Sequence, residues 1–359
     1  MSRCLIYGAN GYTGELIARE ALRRGLRPML AGRDAAAIAA LASELGLPGR
    51  TLGLDDPAAL ADALAGCRAV LHCAGPFSAT AAPMISACLA AGVHYLDITG
   101  EIDVFEAAHA QDAEARSASI VICPGAGFDV VPTDCLAATL AAALPDATYL
   151  ALGFDTLGSP SRGTARTTVE GLAKGGRIRS SGRIVKVAHG FRVREIDFGD
   201  GQPRSAVTIP WGDVSTAYFT TGIPNIEVYM GMPEARIAAL RRLNWLGGLL
   251  RLGAFQTLLK SRIGAGGPDA AQRANSRTRV WGEVQAPSGE LRSGRIEVAN
   301  GYDFTVQSAV AALQFMLEYA GEAGYRTPSQ LLGRDYVERV PGSGSIRVTK
   351  GRAWESRPS

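Results

Sequence analysis

The stretch Cys4-Leu5-Ile6-Tyr7-Gly8-Ala9-Asn10-Gly11-Tyr12-Thr13-Gly14 decides how the rest of the chain is read. Four mostly apolar residues, too few for a helix, run straight into glycines at positions 8, 11 and 14. A helix-like pattern follows, with Ile17, Ala18, Ala21 and Leu22 on one face and Gly25 as its stop. Strand, glycine turn and helix, in that order, are the setting of a dinucleotide site. Gly8 permits the sharp turn off the strand, Gly11 lets the backbone approach a pyrophosphate, and Gly14 lets the helix pack closely on the sheet. The exposed amides of the helix's first turn then face the phosphates, where the helix dipole favours negative charge. Asn10, Tyr12 and Thr13 belong to the same turn and join the three glycines as cofactor-binding candidates. The spacing is G-x-x-G-x-x-G, not G-x-G-x-x-G, and such turns also join strands to helices with no ligand present.

Outward from this turn the strand–helix unit repeats. Strands are predicted at 27–31, 51–54, 69–74, 94–97 and 119–123, with helices at 35–45, 79–91 and 102–117 between them. A further helix opens at Asp56-Pro57, an N-cap followed by proline at the first helical position. Strands alternating with helices call for a parallel, doubly wound sheet with right-handed crossovers. Ligands in such sheets lie at the carboxyl ends of the strands, so the residues just after each strand carry the function.

After the second strand comes Arg33-Asp34. A carboxylate at this place selects NAD through the ribose 2′-hydroxyl, whereas an arginine accepts the 2′-phosphate of NADP. Arg33 can bind phosphate bidentately and stack on adenine, and Asp34 suits the N-cap of the next helix, so NADP is the expected cofactor. Asp55, after the third strand, is placed either for the adenine edge or for helix capping. Ala74, Gly75 and Pro76, after the fourth, offer a backbone that can line the cofactor closely or simply turn. Asp97, Glu101 and Asp129 follow the fifth and sixth strands as proton donors or orienting groups, and each is also a reasonable helix cap.

A chain of 359 residues suggests two domains, and 47% apolar residues can fill a substantial core. The net charge of +3 is too small to imply nucleic acid. Six cysteines (4, 67, 73, 88, 123 and 135) show neither a C-x-x-C pair nor zinc spacing, which predicts no metal site and a reducing cytoplasm. The short first strand lacks the apolar stretch of a signal peptide.

Taken together, residues 7–14, Ala31-Gly32-Arg33, residues 73–77, residues 94–101 and residues 127–132 resemble the saccharopine dehydrogenase-like reductases, and within them the branch of trans-acting enoyl reductases. Residues 210–218 and 222–229 are similar to that branch's second domain. The resemblance runs over roughly residues 3–335 and implies an NADP-binding Rossmann domain at 1–131, completed by a C-terminal return around 303–340. It implies an inserted α+β substrate domain at 132–302 with a mainly antiparallel sheet. It implies hydride transfer more firmly than any one substrate. The superfamily's founding activity concerns amino-acid C=N bonds, and the enoyl reductase branch acts on acyl chains of complex lipids.

The second half has a different texture. Alternation of apolar and polar residues between 149 and 229 fits antiparallel strands, two further strands fit 278–285 and 294–299, and an apolar helix fits 305–319. Residues 341–359 read as a loose tail. Between 162 and 194 nine Arg or Lys face one acid, Glu170. This is either a solvated sheet face or a landing patch for an acidic carrier protein, a phosphopantetheine or CoA phosphate, or an anionic membrane. Residues 236–262 mix Leu and Trp with Arg and Lys and contain no acid. Their uncharged run is far short of the roughly 20 residues a membrane span needs, which leaves interfacial contact at the inner face of the membrane, packing on the parent fold, or a homodimer surface. Three functions follow as expectations: an NADPH-dependent reductase of a C=C bond in an enoyl or polyketide-lipid acyl substrate, free or carrier-bound; a C=N reductase or dehydrogenase of an amino-acid-like substrate; and a non-catalytic NADP-binding regulator. No Tyr has Lys four residues later, so the Tyr-x-x-x-Lys acid of short-chain dehydrogenases is missing.

Overall fold

A computed structural model describes residues 3–156, 174–246 and 269–350. The chain opens with β1 (Cys4–Tyr7), α1 (Tyr12–Arg23), β2 (Met29–Gly32), α2 (Ala35–Leu45), β3 (Gly49–Thr51), α3 (Pro57–Leu64), β4 (Ala69–His72) and α4 (Phe77–Ala91). It continues through β5 (His94–Asp97), α5 (Ile102–His109), α6 (Asp112–Ser117) and β6 (Val121–Cys123). These six strands, with β15 (Gly324–Tyr325) added beyond β6, form one seven-stranded sheet of order β15-β6-β5-β4-β1-β2-β3. Every pairing in it is parallel. The order reverses between β1 and β4, which puts the ligand crevice at their carboxyl ends.

The alternation of side chains along β1 shows why the sheet is covered on both faces. Ile6 joins a core with Leu71, Leu96 and Val121, under Ile17, Ala18 and Ala21 of α1. Leu5 and Tyr7 join Val70, Tyr95 and Ile122 on the other face, under Leu60 of α3 and Met84, Ile85 and Cys88 of α4. Such strands read as continuous apolar runs because neither face meets water.

From β6 the chain crosses on α7 (Val131–Ala143) to β7 (Tyr149–Thr156), which begins the second sheet. The hairpin β8 (Gly176–Ser180) and β9 (Arg183–Val187) follows, then β10 (Val193–Ile196), β11 (Arg204–Thr208), α8 (Asp213–Thr221), β12 (Asn225–Gly231) and α9 (Glu234–Arg242). After the short α10 (Ala270–Ala274) come β13 (Arg277–Gln285) and β14 (Leu291–Ala299), joined through Pro287-Ser288-Gly289. With a last strand β16 (Arg347–Lys350), this sheet has order β10-β11-β12-β7-β13-β14-β16, and the β8–β9 hairpin attaches to β12. All its pairings are antiparallel except β7 with β12. Its inner face, Leu150, Leu152, Phe154, Val228, Val280 and Ile296, packs on α7, and one continuous core runs from there to the first sheet.

The chain then returns. α11 (Gly301–Glu318) buries Ala309, Val310, Leu313 and Met316 against α1 and the first sheet, and α12 (Pro328–Leu332) and α13 (Tyr336–Arg339) pack on α7. Phe315 of α11 stays exposed.

Several boundaries differ from the sequence reading, and three of the differences have a clear physical cause. The third strand is 49–51 rather than 51–54: it is a sheet edge with exposed side chains, so no apolar pattern marks it, and Leu52 is buried just beyond it. The helix read at 102–117 is broken at Ala110-Gln111, where α5 ends and α6 starts. The tail is not loose throughout, since Arg347–Lys350 forms β16, an exposed edge strand on β14. Residues 351–359 lie outside the described residues.

Candidate active site

The turn after β1 has the geometry its glycines suggest. Gly8 sits at φ +79°, a left-handed conformation that side chains rarely adopt. A Cβ on Gly14 would come within 2.1 Å of the Gly8 carbonyl oxygen, so the helix can begin this close to the turn only without one. At Gly11 a Cβ would meet nothing nearer than Gly8 O at 3.3 Å, and the residue faces solvent. Gly11 is also the N-cap of α1, and no side chain caps that helix end. An uncapped helix N-terminus beneath an open glycine surface, at the point where strand order reverses, fits a dinucleotide's diphosphate. Asn10, also exposed, reaches over Gly32. Ala74 from the turn after β4 lies directly against Gly8, and Gly75-Pro76 lead from there into α4.

At the adenosine end, Arg33 is exposed and has no hydrogen-bond or ion-pair partner among the described residues. Asp34 is engaged: its Oδ1 accepts from the Ala37 amide at 3.0 Å and caps α2. The carboxylate after β2 is thus tied to a helix end, and the guanidinium beside it is the group of the two that could take a phosphate. Capping of α3 falls to Asp56, which accepts from Ala59 N at 3.0 Å, so Asp55 is exposed at the rim without that duty.

The three carboxylates after β5 and β6 separate into different roles. Asp97 is wholly buried and accepts from Tyr95 OH at 2.7 Å, Thr99 N at 3.0 Å and Gly125 N at 2.8 Å. Burial pushes it up to about 6 against these donors. It pins the two loops together and does not open on the crevice. Glu101 reaches back to α4, accepting from Phe77 N at 2.8 Å and Ser78 N at 3.0 Å, and so caps a helix 24 residues earlier in the chain. Asp129 is different. It keeps some solvent contact, lies against Gly100, and receives no hydrogen bond to its carboxylate among the described residues. Desolvation, with Glu101 nearby, pushes it up to about 7.

The surroundings of Asp129 include residues the sequence did not mark for a role. Trp211 donates from Nε1 to Asp129 O at 2.7 Å, and its ring lies 4.9 Å from that of Phe154. Phe128 packs edge-on to Phe154 and Phe304, making an apolar wall beside the carboxyl. Asp213, at the start of α8, is wholly buried. Burial pushes it well above the usual range against a hydrogen bond from Thr133, with the neighbouring Asp134 and Asp129 adding to the rise. His72, at the end of β4, is buried among Tyr7, Phe77 and Tyr95 and shares a 3.0 Å hydrogen bond with Thr80. Burial lowers it to about 3, so it is neutral at neutral pH. Among the described residues no cluster of His, Cys, Asp or Glu could hold a metal ion, and none of the six cysteines is in a disulfide.

The basic run between 162 and 194 is largely neutralised where it is described. Lys174 and Arg177 pair with Asp103, Arg179 with Glu106, Arg192 with Glu227 and Arg194 with Glu283. Arg183 and Lys186 on β9 are exposed without an ion pair among the described residues, and Arg162 and Arg166 lie outside them. Of the segment 236–262, only 236–246 is described; Trp245 there is 90% exposed. No described helix is long and apolar enough to cross a membrane.

Residues 4–123 match the saccharopine dehydrogenase NADP-binding domain family. The chain is similar to a trans-acting enoyl reductase of Mycobacterium tuberculosis, 32% identical over 145 residues that make up 36% of this chain and 33% of the relative. A trans-acting enoyl reductase of Mycobacterium ulcerans is 29% identical over 141 residues, again 36% and 33% of the two chains. The chain thus spans about a third of the length of the curated relatives it matches. Among solved structures, saccharopine dehydrogenase (L-Glu forming) from Saccharomyces cerevisiae is similar at TM-score 0.64 and 13% identity, covering 98% of this chain and all of that one. The homospermidine synthase of Legionella pneumophila, solved in complex with NAD, is similar at TM-score 0.67 and 10% identity, covering 100% and 94%. At these identities the two structures show a shared fold.

Proposed function

We propose, from the premise that residues 4–123 are an NADP-binding domain of the saccharopine dehydrogenase family, that the whole chain is an NADPH-dependent reductase of a C=C bond in an enoyl acyl substrate. NADPH, when bound, would supply the hydride. The chain's own residues do the rest. Gly8, Gly11 and Gly14 would seat the diphosphate, and Arg33 would take the 2′-phosphate. Asp97 and Glu101 hold the loops after β4, β5 and β6 in register.

The observation that carries the choice of bond is Asp129. Hydride addition to the β-carbon of an enoyl thioester leaves an enolate that must receive a proton at its α-carbon, whereas reduction of an already protonated imine needs no second proton. A carboxyl pushed up to about 7, beside the apolar wall of Phe128, Phe154 and Trp211, is half-protonated at neutral pH and so can serve as that donor. The enoyl reductase names of relatives that match about a third of the chain support the same reading. The substrate is then an acyl thioester on a carrier or coenzyme arm.

The test is a substrate screen at saturating NADPH. Oxidation of NADPH by an enoyl thioester, and not by an oxo-acid with an amino acid, is the expected result. The reverse pattern selects C=N reduction. Tight NADPH binding with no turnover in either pool points to a non-catalytic regulator.

A further inference from the structure

The loop between β9 and β10 is clamped to the end of α9. Asn244, just beyond that helix, donates from Nδ2 to His189 O at 3.0 Å and accepts at Oδ1 from His189 N at 2.8 Å. Arg241 donates from Nε to Gly190 O at 2.9 Å. Gly190 makes this approach possible, since it sits at φ +64° and a Cβ there would lie 2.9 Å from Cγ of Arg241. Only Ile237 of α9 is buried, so the helix lies on the surface.

Two aromatic rings flank this seam. Trp245 follows Asn244 and is 90% exposed, and Phe191 follows Gly190 and is 39% exposed. They are two of the four large apolar side chains exposed among the described residues, so half of that exposure gathers at one junction. The charge around them has one sign. Residues 183–194 and 235–246 hold seven Arg or Lys and no Asp or Glu. Arg192 and Arg194 are paired, with Glu227 and Glu283, and the Arg192 guanidinium lies 5.1 Å from the centre of the Phe191 ring. Arg183, Lys186, Arg236, Arg241 and Arg242 are exposed without an ion pair among the described residues.

A ring standing almost wholly in water is a poor anchor for a protein partner, where aromatic hot spots fill desolvated pockets inside a packed patch. The headgroup layer of a bilayer takes such a ring without needing a matching shape, because indole settles at the boundary between water and acyl chains. Each cation beside it strengthens attachment to anionic lipid by about fivefold. No described helix is long and apolar enough to cross a membrane, so the contact is peripheral. We infer that the corner made by residues 189–192 and 241–245 docks on an anionic lipid surface. Trp245 and Phe191 enter the headgroup layer, and the cations of α9 meet its charge. This inference goes beyond the reductase reading and does not depend on it.

The test is co-sedimentation of the full chain with vesicles of phosphatidylcholine alone and of phosphatidylcholine with about 30% phosphatidylserine, in about 0.1 M salt. The unmodified protein should bind the anionic vesicles at least about tenfold more tightly than the neutral ones, and release them in about 0.5 M salt. Trp245→Ser should weaken this binding about tenfold and Arg242→Glu about 20-fold. Phe315→Ser, which removes the exposed ring of α11, should bind as the unmodified protein does, and all three variants should keep their affinity for NADPH. Tryptophan emission of the unmodified protein should be quenched by anionic vesicles brominated in their acyl chains, which carries the test if a variant does not fold. Binding to neither vesicle, equal binding to both, undiminished binding in Trp245→Ser, an equal loss in Phe315→Ser, or absence of quenching would each overturn the proposal. A chain that ignores vesicles but binds an acidic carrier protein through Trp245 would make the corner a protein interface, and overturn it too.

Discussion

Gly8 and Ala74 touch across the point where the order of the first sheet reverses. A Cβ built on Gly8 would lie 2.8 Å from both the Cβ and the amide nitrogen of Ala74. The two turns that flank the crevice, one after β1 and one after β4, are in van der Waals contact because one of them has no side chain. The floor of the crevice is therefore a single packed unit of two backbones.

Gly8→Ala tests that unit. The substitution meets both a left-handed φ of +79° and a backbone it cannot displace. It should cost about 2–4 kcal/mol of stability and weaken NADPH binding at least about tenfold, read by urea denaturation and by titration. An alanine variant with unchanged stability would mean that the contact does not constrain the turn.

Arg33→Asp should reverse cofactor preference. Loss of a charge-assisted phosphate contact is worth about 1.5–3 kcal/mol, or about 10–100-fold in NADPH affinity. NADH, which lacks that phosphate, should bind about as before. Equal loss for both dinucleotides would remove the assignment.

Asp129→Asn separates protonation from structure. The carboxyl's folded value, about 7, stands above its unfolded value of about 3.9. Between these limits the folded chain binds more protons than the unfolded one, so the group's contribution is complete below about pH 4 and is lost as pH rises towards 7. An asparagine stays neutral throughout. The variant should match the unmodified protein in stability at pH 4 and exceed it at pH 8, a comparison urea denaturation makes directly. With an enoyl thioester, the unmodified protein should slow as pH passes above about 7, and the variant should be about 100-fold slower at pH 7. A turnover rate indifferent to the substitution would show that the proton comes from elsewhere.

Glu101→Ala should destabilise the chain by about 1–2 kcal/mol, because the amides of Phe77 and Ser78 lose the carboxylate that caps α4. Glu101→Gln, which keeps one acceptor oxygen, should recover part of this in thermal melts. Identical melting of all three proteins would show that the cap contributes nothing.

How much of this was legible in the sequence depends on how local each cause is. The glycine turn, the Asp34 and Asp56 caps and the strands β4 and β5 are set by residues within a few positions of one another, and they read directly. The edge strand β3 did not, because exposure on its edge removes the apolar pattern that marks buried strands. The role of Glu101 was hidden for another reason. Seen locally it is the N-cap of α5, but its side chain serves α4, a pairing only the stacked sheet creates. Trp211 and Asp213 approach the first domain from about 80 positions away from their partners there, so no spacing rule could find them. The resemblance quoted for residues 210–218 marked the neighbourhood of Trp211 without giving it a task.

The late arrival of α11 and β15 has a consequence for synthesis on the ribosome. When residue 150 has emerged, six of the seven strands of the first sheet are present, yet the helix that shields Leu71 and Leu96 alongside α1 lies more than 150 residues ahead. An N-terminal fragment would leave that oily surface wet, and a nascent chain must keep it from sticking to strangers until its final sixth is made. Removing the last 60 residues should yield insoluble protein rather than a smaller working nucleotide binder.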